Sequence, residues 1–182
     1  MRKMGERVEV FGVLPSHAPL VPFRGQRKDT GMNIDGIGSA VPSDLEVILR
    51  LIGLQFGEHG IEVDGARLRA AVSAVLADDT LGAFLLARNG GDTVGVAYIS
   101  LVWALEHCGR AAWLEELYVI PAARGHGIGR ELLEGVLTYL RQRGCGAVDL
   151  EVEESHARAE NLYRRAGFEA HTRRRWFLRL AE

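Results

Sequence analysis

The chain has 182 residues, and its 22 Lys and Arg against 24 Asp and Glu give a formal net charge of −2. Apolar residues make up 47% and charged residues 25%, which is typical of globular proteins and excludes disorder of the whole chain. Proteins that bind nucleic acid by neutralising phosphates are usually strongly basic, so the charge argues against that class. The composition therefore predicts one globular domain with a short appendage.

The sequence gives no sign of membrane insertion or secretion. Its longest apolar stretch, 94–105, is well short of the roughly 20 residues that a bilayer requires. The N-terminus lacks a charged segment followed by an apolar run and a cleavage site. Cys108 and Cys145 are too few for a disulfide framework or a zinc site. We therefore expect a cytoplasmic protein.

Residues 1–31 show neither helical nor strand periodicity. They contain Pro15, Pro19 and Pro22 and a basic run at 24–28, a composition typical of irregular segments. We interpret 1–31 as an N-terminal extension that is in part disordered, and 32–182 as the folded domain. Met32 lies at this boundary, so a start at Met32 is a hypothesis that mass spectrometry of the natural protein would test.

The folded domain begins with two predicted helices. Apolar residues recur at helical spacing from Leu45 to Phe56, and Ser43 with Glu46 has the pattern of a capping box, which predicts a helix over 43–57. A second helical pattern begins at Asp64.

Three strands are predicted next. Residues 81–88, 93–104 and 111–120 are short apolar or alternating runs, and Asn-Gly-Gly-Asp at 89–92 is typical of a tight hairpin turn. We expect these strands to be consecutive and antiparallel.

Helical periodicity returns after residue 121. An apolar stripe from Ile128 to Leu140, closed by Gly144, predicts a long third helix. A strand over 147–152, a short helix over 157–166 and a final strand over 168–180 complete the pattern. The order ααβββαβαβ predicts an α/β fold with a mixed sheet.

A glycine-rich loop joins the third strand to the third helix. Gly125, Gly127 and Gly129 leave the backbone accessible at a helix N-terminus, where N–H groups and the helix dipole favour an anion, most naturally phosphate. The loop lacks both the Gly-Lys-Ser/Thr of NTPases and the third glycine of the dinucleotide fingerprint. We therefore predict a phosphate-binding loop of neither class.

Two motifs resemble those of the GNAT superfamily of N-acetyltransferases. Arg-x-x-Gly-x-Gly at 124–129, after a strand ending Tyr-Val-x-Pro at 118–121, is similar to the family's acyl-CoA-binding motif. Asn-Leu-Tyr-Arg-Arg-Ala-Gly-Phe at 161–168 resembles its C-terminal motif. The resemblance covers about residues 34–182. It implies a mixed, mostly antiparallel sheet flanked by helices and splayed between its fourth and fifth strands, with acetyl-CoA as co-substrate.

The resemblance also implies where the co-substrate binds. The pantetheine arm would lie against the backbone of Leu117, Tyr118 and Val119. The pyrophosphate would bind at the glycine-rich loop. The loop residues assigned to co-substrate binding are Arg124, Gly125, His126, Gly127, Ile128, Gly129 and Arg130. His156 stands where many members have an asparagine and is a further candidate for these contacts.

Acetyl transfer to an amine requires a general base for the nitrogen and a general acid for the leaving thiolate. The resemblance implies that Tyr163 is the acid. Three glutamates compete as base. Glu115 ranks first because 114–119 is similar to the strand of polyamine acetyltransferases in which the first of two acidic residues is the proposed base. Glu116 follows it, and strand alternation predicts that the two lie on opposite faces. The spacing of Glu151 from Tyr163 is similar to that of base and acid in ribosomal-protein N-terminal acetyltransferases.

These features predict an N-acetyltransferase that transfers an acetyl group from acetyl-CoA to a primary amine by direct attack in a ternary complex. A carboxylate-rich cleft favours a small cationic amine. The alternatives are a peptide or protein acceptor, at its N-terminus or a lysine, and a non-catalytic acyl-CoA-binding regulatory module. Fold analogy assigns residues 55–60 to the acceptor wall.

The remaining expectations concern metals and partners. His107, His126 and His156 lack metal-ligand spacing, so no metal site is expected. Neither nucleic acid nor a membrane is expected as a partner, and a homodimer is left open.

Overall fold

A computed structural model of the chain describes residues 36–153, 155–178 and 180. The predicted extension at 1–31 lies outside the described residues. The strands are β1 (Gly36–Ser39), β2 (Gly82–Asn89), β3 (Asp92–Ala104), β4 (Gly109–Val119) and β5 (Ala147–Leu150). The helices are α1 (Leu45–His59), α2 (Gly65–Ala77), α3 (Ile128–Gln142) and α4 (Ala157–Arg165).

The strands form one mixed sheet in the order β1-β2-β3-β4-β5. β1 to β4 pair with one another in antiparallel fashion, and β5 runs parallel to β4. Gly90 and Gly91 connect β2 to β3 with φ values of 58° and 86°, as a two-residue hairpin turn requires. The mixed, mostly antiparallel sheet and its central hairpin are therefore confirmed.

The sheet has an apolar cluster on each face. On one face α3 buries the residues that formed the predicted stripe: Ile128, Leu132, Leu133, Val136 and Leu140. On the other face α1 and α2 pack over the sheet, with Ile48, Leu51, Ile52 and Val72 buried against Phe84, Leu86, Val96 and Tyr118. The helices on each face are therefore fixed to the sheet by a separate apolar cluster.

The start of α1 differs from the sequence prediction. The Glu46 carboxylate pairs with the guanidinium of Arg69 on α2, with one bond of 2.9 Å, so the predicted capping box with Ser43 is wrong. Asp44 accepts a hydrogen bond from the Val41 N–H instead, at 2.8 Å. The start of α2 is confirmed, because Asp64 accepts from the Arg67 N–H at 2.8 Å.

Two strand assignments are corrected. β1 was not predicted, because its Gly-Ile-Gly-Ser sequence has only one apolar side chain and the strand is held by backbone pairing with β2. The described residues of the predicted final strand, 168–178 and 180, contain no strand. Phe168 packs against Tyr163, but the apolar residues that suggested a strand have no facing surface, and Trp176 is 89% exposed.

The pairing of β4 with β5 is short. It covers Ala111 to Leu114 and ends opposite Leu150. Residues 116–119 of β4 are therefore paired with β3 alone. The splay between the fourth and fifth strands is confirmed, and it leaves one backbone edge of β4 open.

None of the described helices is long and apolar enough to cross a membrane.

Gly82 marks the closest backbone approach of β2 to β3. A Cβ built on Gly82 would lie 2.1 Å from the Ile99 carbonyl oxygen. We expect Gly82→Ala to lower the free energy of unfolding by about 1–3 kcal/mol, because the neighbouring backbone must shift. Urea denaturation would measure the change. Gly109→Ala is the matched control, since a Cβ there meets nothing within 4 Å, and equal losses in the two variants would contradict the packing argument.

Candidate active site

A bulge in β4 sets the direction of two of the predicted glutamates. The register with β3 shifts by one residue, which leaves Glu115 as the extra residue. Leu114 and Leu117 consequently both pack toward α3, although strict alternation would place them on opposite faces. Glu115 and Glu116 therefore both lie on the side of α1 and α2. The predicted placement of the two glutamates on opposite faces is wrong.

Glu116 is half-buried beside the last turns of α1. The Gln55 side-chain N–H donates to the Glu116 carboxylate at 2.6 Å. Burial, and to a lesser extent the charge of Glu115, raises the pKa of Glu116 to about 7, while the bond from Gln55 opposes this shift. The carboxyl group can therefore take up or release a proton near neutral pH.

The Glu116 carboxylate also borders an apolar cavity of about 140 Å³ between the two first helices and the sheet. The other lining residues are Ile52, Phe56, Leu68, Ala71, Val72, Val75, Phe84 and Tyr98. Beside it, the Gln55 Oε1 atom is buried and has no hydrogen-bond partner among the described residues. A buried acceptor without a partner is costly, so this atom is available to a ligand N–H group.

Tyr163 reaches the same region from α4. Its ring packs edge-on against Phe168, with the ring centroids 5.7 Å apart. Burial, followed by the charge of Glu116, raises the pKa of Tyr163 to about 12. The phenol is therefore protonated at neutral pH and lies within electrostatic range of Glu116. The structure brings these two predicted residues together.

The other two glutamates lie in more open surroundings. Glu115 is exposed and accepts a hydrogen bond from the Ser100 hydroxyl at 2.9 Å. Glu151 follows the end of β5, is exposed and pairs with the Arg175 guanidinium at 2.7 Å. Both carboxylates are exposed, whereas Glu116 borders the apolar cavity.

The glycine-rich loop leaves backbone donors unused. Gly125 and Gly127 have φ values of 89° and 86°, a left-handed conformation that favours glycine. Within the described ranges, the N–H groups of 125–129 make no backbone hydrogen bond, and the His126 Nδ1 atom is buried without a partner. Because the loop leads directly into the N-terminus of α3, these donors fit a phosphate-bearing ligand. The Ile128 side chain itself is buried in the core.

Arg124 fastens this loop to the end of α1. Its Nε donates to the Val119 carbonyl oxygen at 2.8 Å, and its Nη2 pairs with Glu58 at 2.7 Å. The Tyr118 hydroxyl donates to the same carboxylate at 2.7 Å. Bonds from Arg124 and then Tyr118 lower the pKa of Glu58. Arg124 therefore orients the loop. Arg130, in the first turn of α3, pairs with Glu134 at 2.8 Å.

Arg158 was not predicted as a site residue, and Glu58 was predicted only as part of the acceptor wall at 55–60, whereas it pairs with Arg124 at the glycine-rich loop. The Arg158 guanidinium lies 4.0 Å from the position of a Cβ built on Gly125, so a positive charge from α4 lies beside the loop. His156 precedes α4, and its ring meets His59 with the centroids 5.0 Å apart. Single charged residues on helices carry no periodic signal, and only the fold shows what they approach.

Comparison with known proteins identifies the family. The family model described as "Acetyltransferase (GNAT) family" matches residues 49–168. Streptothricin acetyltransferase of Streptomyces lavendulae is 36% identical over 167 residues, which cover 84% of each chain. Mycothiol acetyltransferase of Rhodococcus erythropolis is 34% identical over 137 residues, which cover 70% of this chain and 44% of the relative. The chain thus spans less than half of the length of that relative.

Solved structures agree with the family assignment. A putative acetyltransferase from Arthrobacter sp. FB24 is 25% identical, with a TM-score of 0.70 over 84% of this chain and 100% of that chain. An aminoglycoside N-acetyltransferase in complex with CoA is 20% identical, with a TM-score of 0.69 over 89% of this chain and 100% of that chain, a likeness of fold. The chain belongs to the acetyltransferase (GNAT) family and is an N-acetyltransferase that uses acetyl-CoA.

Proposed function

We propose that the protein acetylates the primary amine of a small cationic molecule by direct attack within a ternary complex. The observation that carries the proposal is the half-buried Glu116 carboxyl group, with a pKa of about 7, at the edge of an apolar cavity. A general base is most effective when its pKa lies near the working pH. The similarity to a streptothricin acetyltransferase supports a small acceptor.

We assign the general base to Glu116, which revises the sequence-based ranking of Glu115. Glu115 is exposed, and Glu151 is occupied by Arg175. Glu116 alone of the three combines burial with proximity to Tyr163. Glu115 lies on the same face, so its charge would attract a cationic acceptor without taking its proton.

The chemistry follows from the positions of three side chains. The ionised Glu116 carboxylate accepts a proton from the acceptor ammonium, and Gln55 Oε1 accepts a hydrogen bond from the nitrogen and orients it. Acetyl-CoA supplies the activated acetyl group. The neutral nitrogen forms a bond to the thioester carbonyl carbon, the carbon–sulfur bond breaks, and the Tyr163 hydroxyl donates its proton to the leaving sulfur.

The backbone around the loop would bind the co-substrate. The N–H groups of 125–129 and the His126 ring have unused hydrogen-bonding capacity toward the pyrophosphate. The open edge of β4 at Leu117 to Val119 offers backbone groups to the pantetheine arm. Arg158 adds positive charge beside the phosphates.

Acceptor identity can be tested by measuring thiol release from acetyl-CoA with a panel of amines, amino acids and peptides. We expect turnover with small cationic amines that place an apolar portion in the cavity. Turnover confined to peptides would contradict the proposed acceptor class. Binding of acetyl-CoA without turnover on any acceptor would favour the regulatory-module alternative.

Glu116→Gln tests the base. With a base of pKa about 7, kcat/KM of the parent should rise with pH up to neutrality and then level off. In the variant, kcat/KM should be about 10²- to 10⁴-fold lower at neutral pH. It should partly recover as the pH approaches the pKa of the acceptor amine, because the amine then loses its proton to solvent. Steady-state pH profiles would measure both effects.

Glu115→Gln is the matched control, because it removes a neighbouring carboxylate from the same face. We expect a smaller loss, in KM for a cationic acceptor, because long-range attraction is removed. The rise of kcat/KM with pH should also move to lower pH, because the charge of Glu115 contributes to the raised pKa of Glu116. If Glu115→Gln abolishes the rise of kcat/KM between acidic and neutral pH while Glu116→Gln retains it, the base is Glu115.

Tyr163→Phe tests the acid. The variant keeps the ring that packs on Phe168, so folding and co-substrate affinity should change little. The rate of the first turnover should fall by about 10²- to 10⁴-fold because the thiolate leaves unprotonated. Rapid-mixing measurement of thiol release separates this step from product release. A parental first-turnover rate would make Tyr163 a packing residue.

Gly127→Val tests the loop. Gly127 and Gly144 lie at opposite ends of α3, both with positive φ and with nothing within 4 Å of a built Cβ. Gly127→Val and Gly144→Val should therefore destabilise the fold to a similar degree. Only Gly127→Val should weaken acetyl-CoA binding, by about tenfold or more if one phosphate contact is lost. Calorimetric titration giving equal affinities in the two variants would contradict the assignment.

A further inference from the structure

Three potential metal ligands from distant parts of the chain meet at one point. His59 ends α1, Glu153 lies between β5 and α4, and His156 directly precedes α4. One ligand atom of each lies within 4.8 Å of the ligand atoms of the other two. We name these three residues the His–Glu cluster. Its members are separated in sequence. The sequence-based expectation of no metal site rested on the spacing of His107, His126 and His156, so it did not include this combination.

The ligand types point to a transition metal. Two imidazoles and one carboxylate form a three-ligand set that zinc uses with a fourth position left for water or another molecule. Calcium and magnesium prefer all-oxygen sites, so the two imidazoles disfavour both. Ligand atoms at about 2.0–2.2 Å from one zinc ion lie roughly 3.4 Å apart. The three atoms here lie within 4.8 Å of one another, and His59 and Glu153 are exposed, so their side chains can turn toward a shared ion.

The surroundings hold the cluster in place. The neighbouring Glu58 is fixed by Arg124 and Tyr118, which anchors the end of α1 next to His59. The His59 and His156 rings already meet edge to face, with an interplanar angle of 81°. The backbone of His156 accepts hydrogen bonds from Ala159 and Glu160 in the first turn of α4. Two of the three ligands are therefore carried by helix ends.

We propose that His59, Glu153 and His156 bind one divalent transition-metal ion, with zinc as the best match, and that the ion ties the end of α1 to the segment before α4. These two segments border the opening between β4 and β5, where the co-substrate is proposed to bind. The site is separate from the base and acid, and metal binding does not depend on the proposed acceptor or reaction.

The test is a titration of the full chain with zinc in competition with a chromophoric chelator. We expect one zinc equivalent per chain. His59→Ala and His156→Ala should each weaken binding by about tenfold or more, because each removes a direct ligand. Glu153→Gln should also weaken zinc binding, because it replaces the proposed carboxylate ligand. It leaves both helix ends unchanged, so a loss in this variant cannot be attributed to a damaged helix end. Circular dichroism would verify the fold of each variant.

His107→Ala is the matched control, because His107 also pairs with a carboxylate, that of Asp149, at 3.2 Å. Zinc affinity should be unchanged in this variant. At a zinc concentration a hundred times the parent Kd, the thermal midpoint of the parent should rise by about 5–10 °C, and that of the cluster variants should rise by about half as much or less. Cobalt should give visible bands without a thiolate band, which excludes Cys108 and Cys145 as ligands. Absence of a saturable site, or equal zinc affinity in His59→Ala and His107→Ala, would overturn the proposal.

Discussion

The separation of β4 from β5 is the constraint on which the site depends. The two strands pair only over 111–114, so the following residues of β4 have one open backbone edge. Open strand edges are usually covered or paired, because their polar groups are otherwise left to solvent. Glu116 lies on this part of β4, within electrostatic range of Tyr163 on α4. The same separation therefore leaves room beside β4 for the proposed co-substrate site, close to the proposed acid and base.

A half-buried carboxylate in this position affects stability as well as chemistry. The pKa of Glu116 rises from 4.5 to about 7 on folding. A raised pKa means that the folded state binds the proton more tightly, so this stabilising contribution is complete below pH 4.5 and is lost as the pH rises toward 7. At neutral pH the fold thus retains a partly ionised group in apolar surroundings, and the hydrogen bond from Gln55 offsets part of that cost.

The sequence predicted what local patterns determine. Apolar spacing located α1, α2 and α3, and Asn-Gly-Gly-Asp located the hairpin. Local patterns could not predict the bulge at Glu115, because a bulge depends on the register with the partner strand. The final strand was predicted wrongly because alternation does not show whether a neighbouring edge is present. Glu58 and His59 acquire partners only when the end of α1 meets residues 60 or more positions away.

The last turns of α1 connect the parts of the site. Gln55 contacts Glu116, and Glu58, three residues later and therefore on the same side of the helix, contacts Arg124 of the glycine-rich loop. A movement of this helix end would disturb both the hydrogen bond to Glu116 and the contact that holds the loop. Because helix ends have fewer backbone bonds than helix interiors, they need side-chain partners to stay fixed. The Arg124–Glu58–Tyr118 contacts supply those partners on one side of the helix, and the contact of His59 with His156 supplies another toward α4.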